Sequence, residues 1–239
     1  MTVVTLASTK GGCGKTTAAV GLAAAFALSK LSIAIVDGDP QQNAATWLRV
    51  FAASENVTLD PAALEWTHGQ ITVAREVYED RMVGTIIDLA NRNDIVLVDT
   101  QGSANQSMLM ALGRSDLVVV PVQPSRFDVA AAQRTMKIAE QASQLVGRDI
   151  LVRILMSRTK PAINTKAARK VRGDLESAGH ILLKTELMDR TALQQMSITG
   201  VAPSPNSKND AERNAAENLT WLAKEIGAIL YSARQGGEG

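Results

Sequence analysis

The stretch TLASTKGGCGKTTAAVGLAAAFALSK, residues 5–30, decides the fold. Apolar and β-branched residues fill 3–7, glycines follow at 11, 12 and 14, and an alanine-rich run typical of a helix opens at Lys15. Glycines let the backbone curl so that successive N–H groups converge, and the start of a helix adds its positive dipole end. Together they can cradle a phosphate, with the Thr16 hydroxyl available to Mg2+. Two features do not fit the ordinary pattern. That pattern asks for glycine where Thr9 stands, and a second lysine, Lys10, lies five positions before Lys15. One lysine is enough for one nucleotide.

Working outward, 239 residues with 46% hydrophobic and 21% charged side chains can bury a sizeable core. A single cysteine excludes an internal disulfide framework and any four-thiolate site, and it fits a reducing cytoplasm. His68 and His180 are too sparse for metal chemistry. No charged leader precedes the first apolar run, and no apolar stretch reaches the roughly 20 residues that cross a bilayer. The net charge of +1 suggests no polyanionic partner by itself.

Strands are predicted at 3–7, 33–37, 95–99, 117–121 and 150–156, with a shorter one at 181–184. They are apolar on both faces, as in a parallel sheet covered on both sides. Helices are predicted at 15–29, 41–53, 70–91, 104–113, 127–147, 165–178 and 210–233. The alternation specifies an α/β fold, a doubly wound, mostly parallel sheet with helices on both faces. No linker divides the chain, so one domain is expected over 1–234, with a frayed tail at 235–239.

Ligands in such sheets bind at the carboxyl ends of the strands. The second predicted strand ends in VDGDPQQNAATW, residues 36–47, where Asp37 and Asp39 can face a metal-bound phosphate and its attacking water. Alternatively Asp39 and Pro40 only start a helix. The third ends in IVLVDTQG, residues 95–102, with Asp99 placed to hold Mg2+. The fourth runs into PVQPSRFDVAA, residues 121–131.

KGGCGKTT resembles the deviant Walker A motif of the ParA/MinD family of P-loop NTPases. VDGDPQQN is similar to that family's DxDPQxN segment, IVLVDTQG to its Walker B segment, and PVQPSRFD to its P-x-x-P-S…D segment. The resemblance is strong over residues 3–130 and weaker beyond 150. Gln101 and Gly102 stand where the family usually has prolines, which leaves the following switch loop open.

The resemblance implies an ATPase that uses ATP and Mg2+ and forms a nucleotide-sandwich homodimer. Lys10 would reach the partner subunit's phosphates while Lys15 holds its own. Residues 10–17 (Lys10, Gly11, Gly12, Cys13, Gly14, Lys15, Thr16 and Thr17) would wrap the nucleotide. Asp39 would polarise the water, Asp37 would support the switch, and Thr16, Asp39 and Asp99 would serve the metal. LMSRTKP resembles the segment enclosing adenine, which makes Ser157 and Arg158 base-pocket candidates. Lys10 so near the beginning implies a short form with no helix-turn-helix ahead of it. The task implied is plasmid or chromosome partition by a cytoplasmic, nucleoid-associated protein with a ParB-like, site-specific DNA-binding partner. A conjugative DNA-transfer ATPase and a MinD-type membrane-associated ATPase are the alternatives.

Local charge bears on the cargo. Residues 148–190 carry ten basic side chains against five acidic ones. Within them, 164–179 reads as a helix with Ala168, Val171, Leu175 and Ala178 inward and Lys166, Arg169 and Lys170 outward. With Arg190, these make a candidate surface for duplex DNA phosphates, or simply a solvated face. Aromatic residues at 3% argue against base stacking on single strands. The last helix has an apolar stripe (Leu219, Leu222, Ile226, Ile229, Leu230) but no polybasic face, so packing is expected rather than membrane attachment. Cys13 is a small filler or, alternatively, a redox thiol.

Overall fold

A computed structural model describes residues 2–160 and 166–235. The elements run β1 (Val3–Leu6), α1 (Lys15–Ala27), β2 (Ile33–Gly38), α2 (Asn43–Ser54), β3 (Glu65–His68), β4 (Ile71–Arg75), α3 (Glu79–Arg92) and β5 (Ile95–Thr100). The chain continues through α4 (Gln106–Gly113), β6 (Leu117–Val122), α5 (Arg126–Val146), β7 (Leu151–Thr159), α6 (Lys166–Ser177), β8 (Leu187–Met188), α7 (Thr191–Thr199) and α8 (Asp210–Gln235).

The strands form one sheet in the order β3-β4-β2-β5-β1-β6-β7-β8, parallel except for the β3–β4 pair. Alternate residues of each strand serve opposite faces, as the two-residue repeat of an extended chain requires. Val4, Leu6, Ile33 and Ile35 join the core under α1, α2, α7 and α8. Val118 and Val120 pack with residues of α4, α5 and α6, and Ala34, Val36 and Val96 with α3. Both faces are thus covered, which is why the strands read as unbroken apolar runs.

Three expectations are corrected. The helix predicted over 70–91 is a tight hairpin followed by a shorter helix: β3 and β4 pair across Gly69 with Thr67 opposite Thr72, and α3 begins only at Glu79. The alternation in EWTHGQITVAR around a glycine turn is the signal that was missed. The strand predicted at 181–184 is a lone bridge between Ile154 and Leu182, and the edge strand comes later, at β8. Helix α7 was not predicted, because its nine residues lack an apolar period long enough to register. The predicted tail beyond Gln235 and the predicted helix start at 165 lie outside the described residues.

Helix α8 buries Leu219, Leu222, Ile226 and Leu230 and packs against α1 and β8. No helix among the described residues is long and apolar enough to cross a membrane.

Candidate functional site

Because the central strands are parallel, the loops after β1, β2, β5 and β6 all emerge at one end of the sheet. After β1 the backbone turns left-handed at Gly12 (φ 75°) and Gly14 (φ 99°), and Gly14 caps α1 without a side-chain acceptor. The first-turn N–H groups of α1 are left for an anion.

The two lysines behave differently. Lys15 is buried, and its Nζ donates to the Lys10 carbonyl at 3.3 Å. The Lys10 side chain, 39% exposed, pairs its Nζ with the buried carboxylate of Asp128 at 2.6 Å. Asp128 also accepts the Ser125 hydroxyl, so the start of α5 holds this ammonium. Thr9, where the ordinary motif has glycine, fastens the loop to the same helix: its N–H donates to Thr135 Oγ1 (3.1 Å) and its hydroxyl to the Ala131 carbonyl (3.1 Å). Gln123 Nε2 adds a bond to the Gly12 carbonyl at 2.7 Å. Cys13 is buried with its thiol 3.5 Å from the Lys10 carbonyl, the packing of a small filler.

Asp37 on β2 lies in register with Asp99 on β5. Asp99 is fully buried, its Oδ2 accepts the Thr16 hydroxyl at 2.6 Å, and its Oδ1 has no hydrogen-bond partner. Burial, above all, pushes its carboxyl up to about 7, and the nearby Asp37 adds to that. A buried carboxylate oxygen with nothing to accept from, beside a hydroxyl at a phosphate-binding loop, suits an oxygen-preferring divalent cation such as Mg2+. Asp37 is also fully buried and pushed up to about 6 by desolvation. Its Oδ2 accepts from the Ala45 N–H at 2.9 Å and its Oδ1 from the Asp39 N–H at 3.3 Å. Asp37 therefore ties α2 to the sheet. Asp39, half-buried, accepts the Gln41 N–H at 2.9 Å at the entrance to α2.

Of the two departures at Gln101 and Gly102, the glycine has a steric reason. A Cβ on Gly102 would stand 2.8 Å from the Gly11 Cα and N and 3.0 Å from the Lys10 carbonyl carbon. The loop after β5 thus rests directly on the backbone between the two lysines. Gly102→Ala is expected to weaken ATP binding about 5- to 150-fold, the effect of 1–3 kcal/mol of overpacking delivered to the loop. Equilibrium dialysis checks it, and unchanged affinity would show that the loop yields freely.

Beyond Gly14 and Thr17 opens a cleft of about 290 Å3, walled by Arg158, Met188, Arg190, Leu193 and Ser197. Arg158 lies in it with left-handed backbone (φ 52°), at an irregularity in the β7–β8 ladder. That reversal separates the two base-pocket candidates. Ser157 is fully buried and donates its hydroxyl to the Cys13 carbonyl at 2.7 Å, so it positions the loop and is not part of the cleft. Arg190, expected on the DNA surface, stands at the start of α7 without a side-chain capping bond and lines the cleft, with its buried Nε unpartnered. On α6, Lys166, Arg169 and Lys170 are exposed, with Lys170 3.4 Å from Asp174, while Val171 and Leu175 are buried. Ala178, expected inward, is exposed beyond the helix end.

The family model described as VirC1 protein matches residues 1–230. This chain belongs to the VirC1 family, within the ParA/MinD-type P-loop ATPases. It is 26% identical to Protein ParA of Rhizobium radiobacter over 98% of this chain and 99% of that one. It is 31% identical to the Maintenance of carboxysome distribution protein A of Gloeobacter kilaueensis, over 82% of this chain and 83% of that one. The fold is similar to that of an ATP complex of a Cyanothece McdA variant, with a TM-score of 0.74, 16% identity and coverage of 95% and 96%. As a ParA/MinD-type chain, this family member carries two lysines in its phosphate loop, Lys15 buried and Lys10 partly exposed.

Proposed function

We propose that this VirC1-family chain is an ATPase that binds ATP with Mg2+ and pairs with a second copy through its nucleotide face. In that state it binds duplex DNA without reading sequence, and hydrolysis to ADP and phosphate releases it. The carrying observation is the divergence of the two loop lysines. Lys15 turns into its own loop, while Lys10 sits at the mouth with Asp128, where a partner can engage it. A cation that reaches the transferring phosphoryl group only across a dimer ties hydrolysis to assembly.

In this reading the cleft beside Gly14 and Thr17 takes the base and ribose, with Arg158 and Arg190 in its wall. Asp39 orients the water. Thr16 and Asp99 would hold Mg2+, with Asp39 nearby; the ion supplies charge neutralisation to the phosphates. Sedimentation with ATP, with ADP and without nucleotide tests the proposal: an ATP-specific dimer is expected, and a monomer throughout would overturn it.

The task is partition or positioning of DNA by a nucleoid-associated protein with a site-specific, ParB-like DNA-binding partner. The similarity to a ParA and to a carboxysome-distribution protein supports positioning, and the exposed basic face of α6 supports DNA as the track. The buried stripe of α8 gives no support to membrane attachment. Lys166→Glu with Lys170→Glu is expected to abolish the ATP-dependent gel shift of plasmid DNA and leave ATP affinity unchanged, because phosphate contacts dominate such binding. An intact shift would mean that DNA uses another surface.

A further inference from the structure

On the other side of α2 lies a second cavity of about 390 Å3, within the size range of small-molecule sites. Its walls come from the end of α1 (Ala27), from α2 (Trp47, Phe51), from the β3–β4 hairpin (His68) and from the stiff loop after α7 (Pro203, Pro205). The Trp47 and Phe51 rings stack at 5.9 Å, and His68 meets Phe51 edge-on at 4.9 Å. Trp47 is 4% exposed, and its indole N–H is buried with no acceptor. That N–H has no surface open to the cavity, so what Trp47 offers a ligand there is apolar ring surface. No lysine or arginine lines the cavity, and its one carboxylate, Glu55, is already engaged with His68 at 2.8 Å. These walls suit neither an anion nor a phosphate.

We propose that this cavity binds a small neutral aromatic molecule, and that its occupancy is coupled to the nucleotide cleft. The coupling half rests on the nucleotide-binding reading above. Its route is short. Trp47 also lines a smaller cleft of about 240 Å3 that reaches Thr16 and Thr17. A Cβ on Gly200 would lie 2.3 Å from the Phe51 N, so the end of α7 is in backbone contact with α2. A ligand that parts α2 from the loop after α7 must therefore move α7, whose Leu193 and Ser197 wall the nucleotide cleft.

The neutral fluorophore prodan, an aryl ketone, is a direct probe. With the nucleotide-free full chain, its emission should shift to the blue and saturate at one molecule per chain. Phe51→Ala removes one of the two stacked rings of the wall and should weaken binding about tenfold. Ala27→Leu should fill the cavity and abolish binding; if that variant melts early, Val201→Phe at the lip, where the native residue is 48% exposed, serves instead. Saturating prodan should change the affinity for a nonhydrolysable ATP analogue at least about threefold, and the analogue should change prodan affinity by the same factor. Absence of saturable binding, or binding indifferent to these substitutions, overturns the site. Full binding of both ligands with no reciprocal effect overturns the coupling. Failure of the nucleotide reading would appear separately, as no analogue binding in the absence of prodan.

Discussion

Lys10→Ala is expected to lower ATP turnover by about 10²–10³-fold, the loss typical of removing one cation or donor from a developing phosphoryl charge. ATP affinity of the isolated chain should stay within a few-fold, because the proposed reading gives the grip on the same chain's phosphates to the buried Lys15. The structure adds a second limb. Lys10 is not idle without a partner; the Asp128 carboxylate, 2% exposed, holds it at 2.6 Å. Cross-dimer engagement must break that pair, and one ion pair with a buried partner is enough to disfavour premature reach. Asp128→Asn should therefore promote dimerisation at lower ATP concentration while Lys10→Ala prevents turnover, and sedimentation with phosphate release reads both. A Lys10→Ala chain that turned over at the native rate would remove the basis for linking hydrolysis to assembly.

Asp99→Asn should have two large and opposite effects. Metal-dependent turnover should fall by at least about a hundredfold, since the unpartnered Oδ1 is the oxygen suited to Mg2+. Without nucleotide or Mg2+, the same variant should melt about 3–8 °C higher at pH 8. The sign follows from burial. The Asp99 carboxyl is raised to about 7 from an ordinary 3.8, so the fold prefers it protonated. That preference stabilises fully below the ordinary value and is lost as pH rises through 7. The melting advantage of Asn should accordingly shrink as pH falls from 8 and vanish near 4, checked by thermal melts across that range. An apo variant less stable than the native chain at pH 8 would mean that the carboxylate does structural work through Thr16 that outweighs its desolvation.

Much of this architecture is legible in the sequence, for identifiable reasons. Strands buried on both faces carry a dense apolar signal, so β1, β2, β5 and β6 fall where the pattern puts them to within one residue at either end, and β7 starts one residue late and runs three further. Gly12 and Gly14 announce a backbone that other residues resist. The β3–β4 hairpin was lost because only three residues separate ITVAR from α3, and the boundary depends on pairing with β2 from elsewhere in the chain. Ser157 and Arg158 are neighbours in sequence, but a left-handed residue turns one toward the loop and the other into the cleft. Asp128, Gly102 and Thr9 act through contacts about 90 to 126 positions away, which no local pattern encodes. The motif around Asp128 was visible, but not the lysine it would meet.

Helix α5 touches the phosphate loop at its first turns, through Asp128, Ala131 and Thr135. Its 21 residues then run about 31 Å along the sheet. Its Ala139 and Ala142 share a core cluster with Val171 and Leu175, the buried side of the helix that carries the basic face. Such a rod is a lever: a tilt of about 5° at the loop end carries the far end through about 3 Å. A pull on the Lys10 ammonium that tilted this rod would reorient the face carrying Lys166 and Lys170.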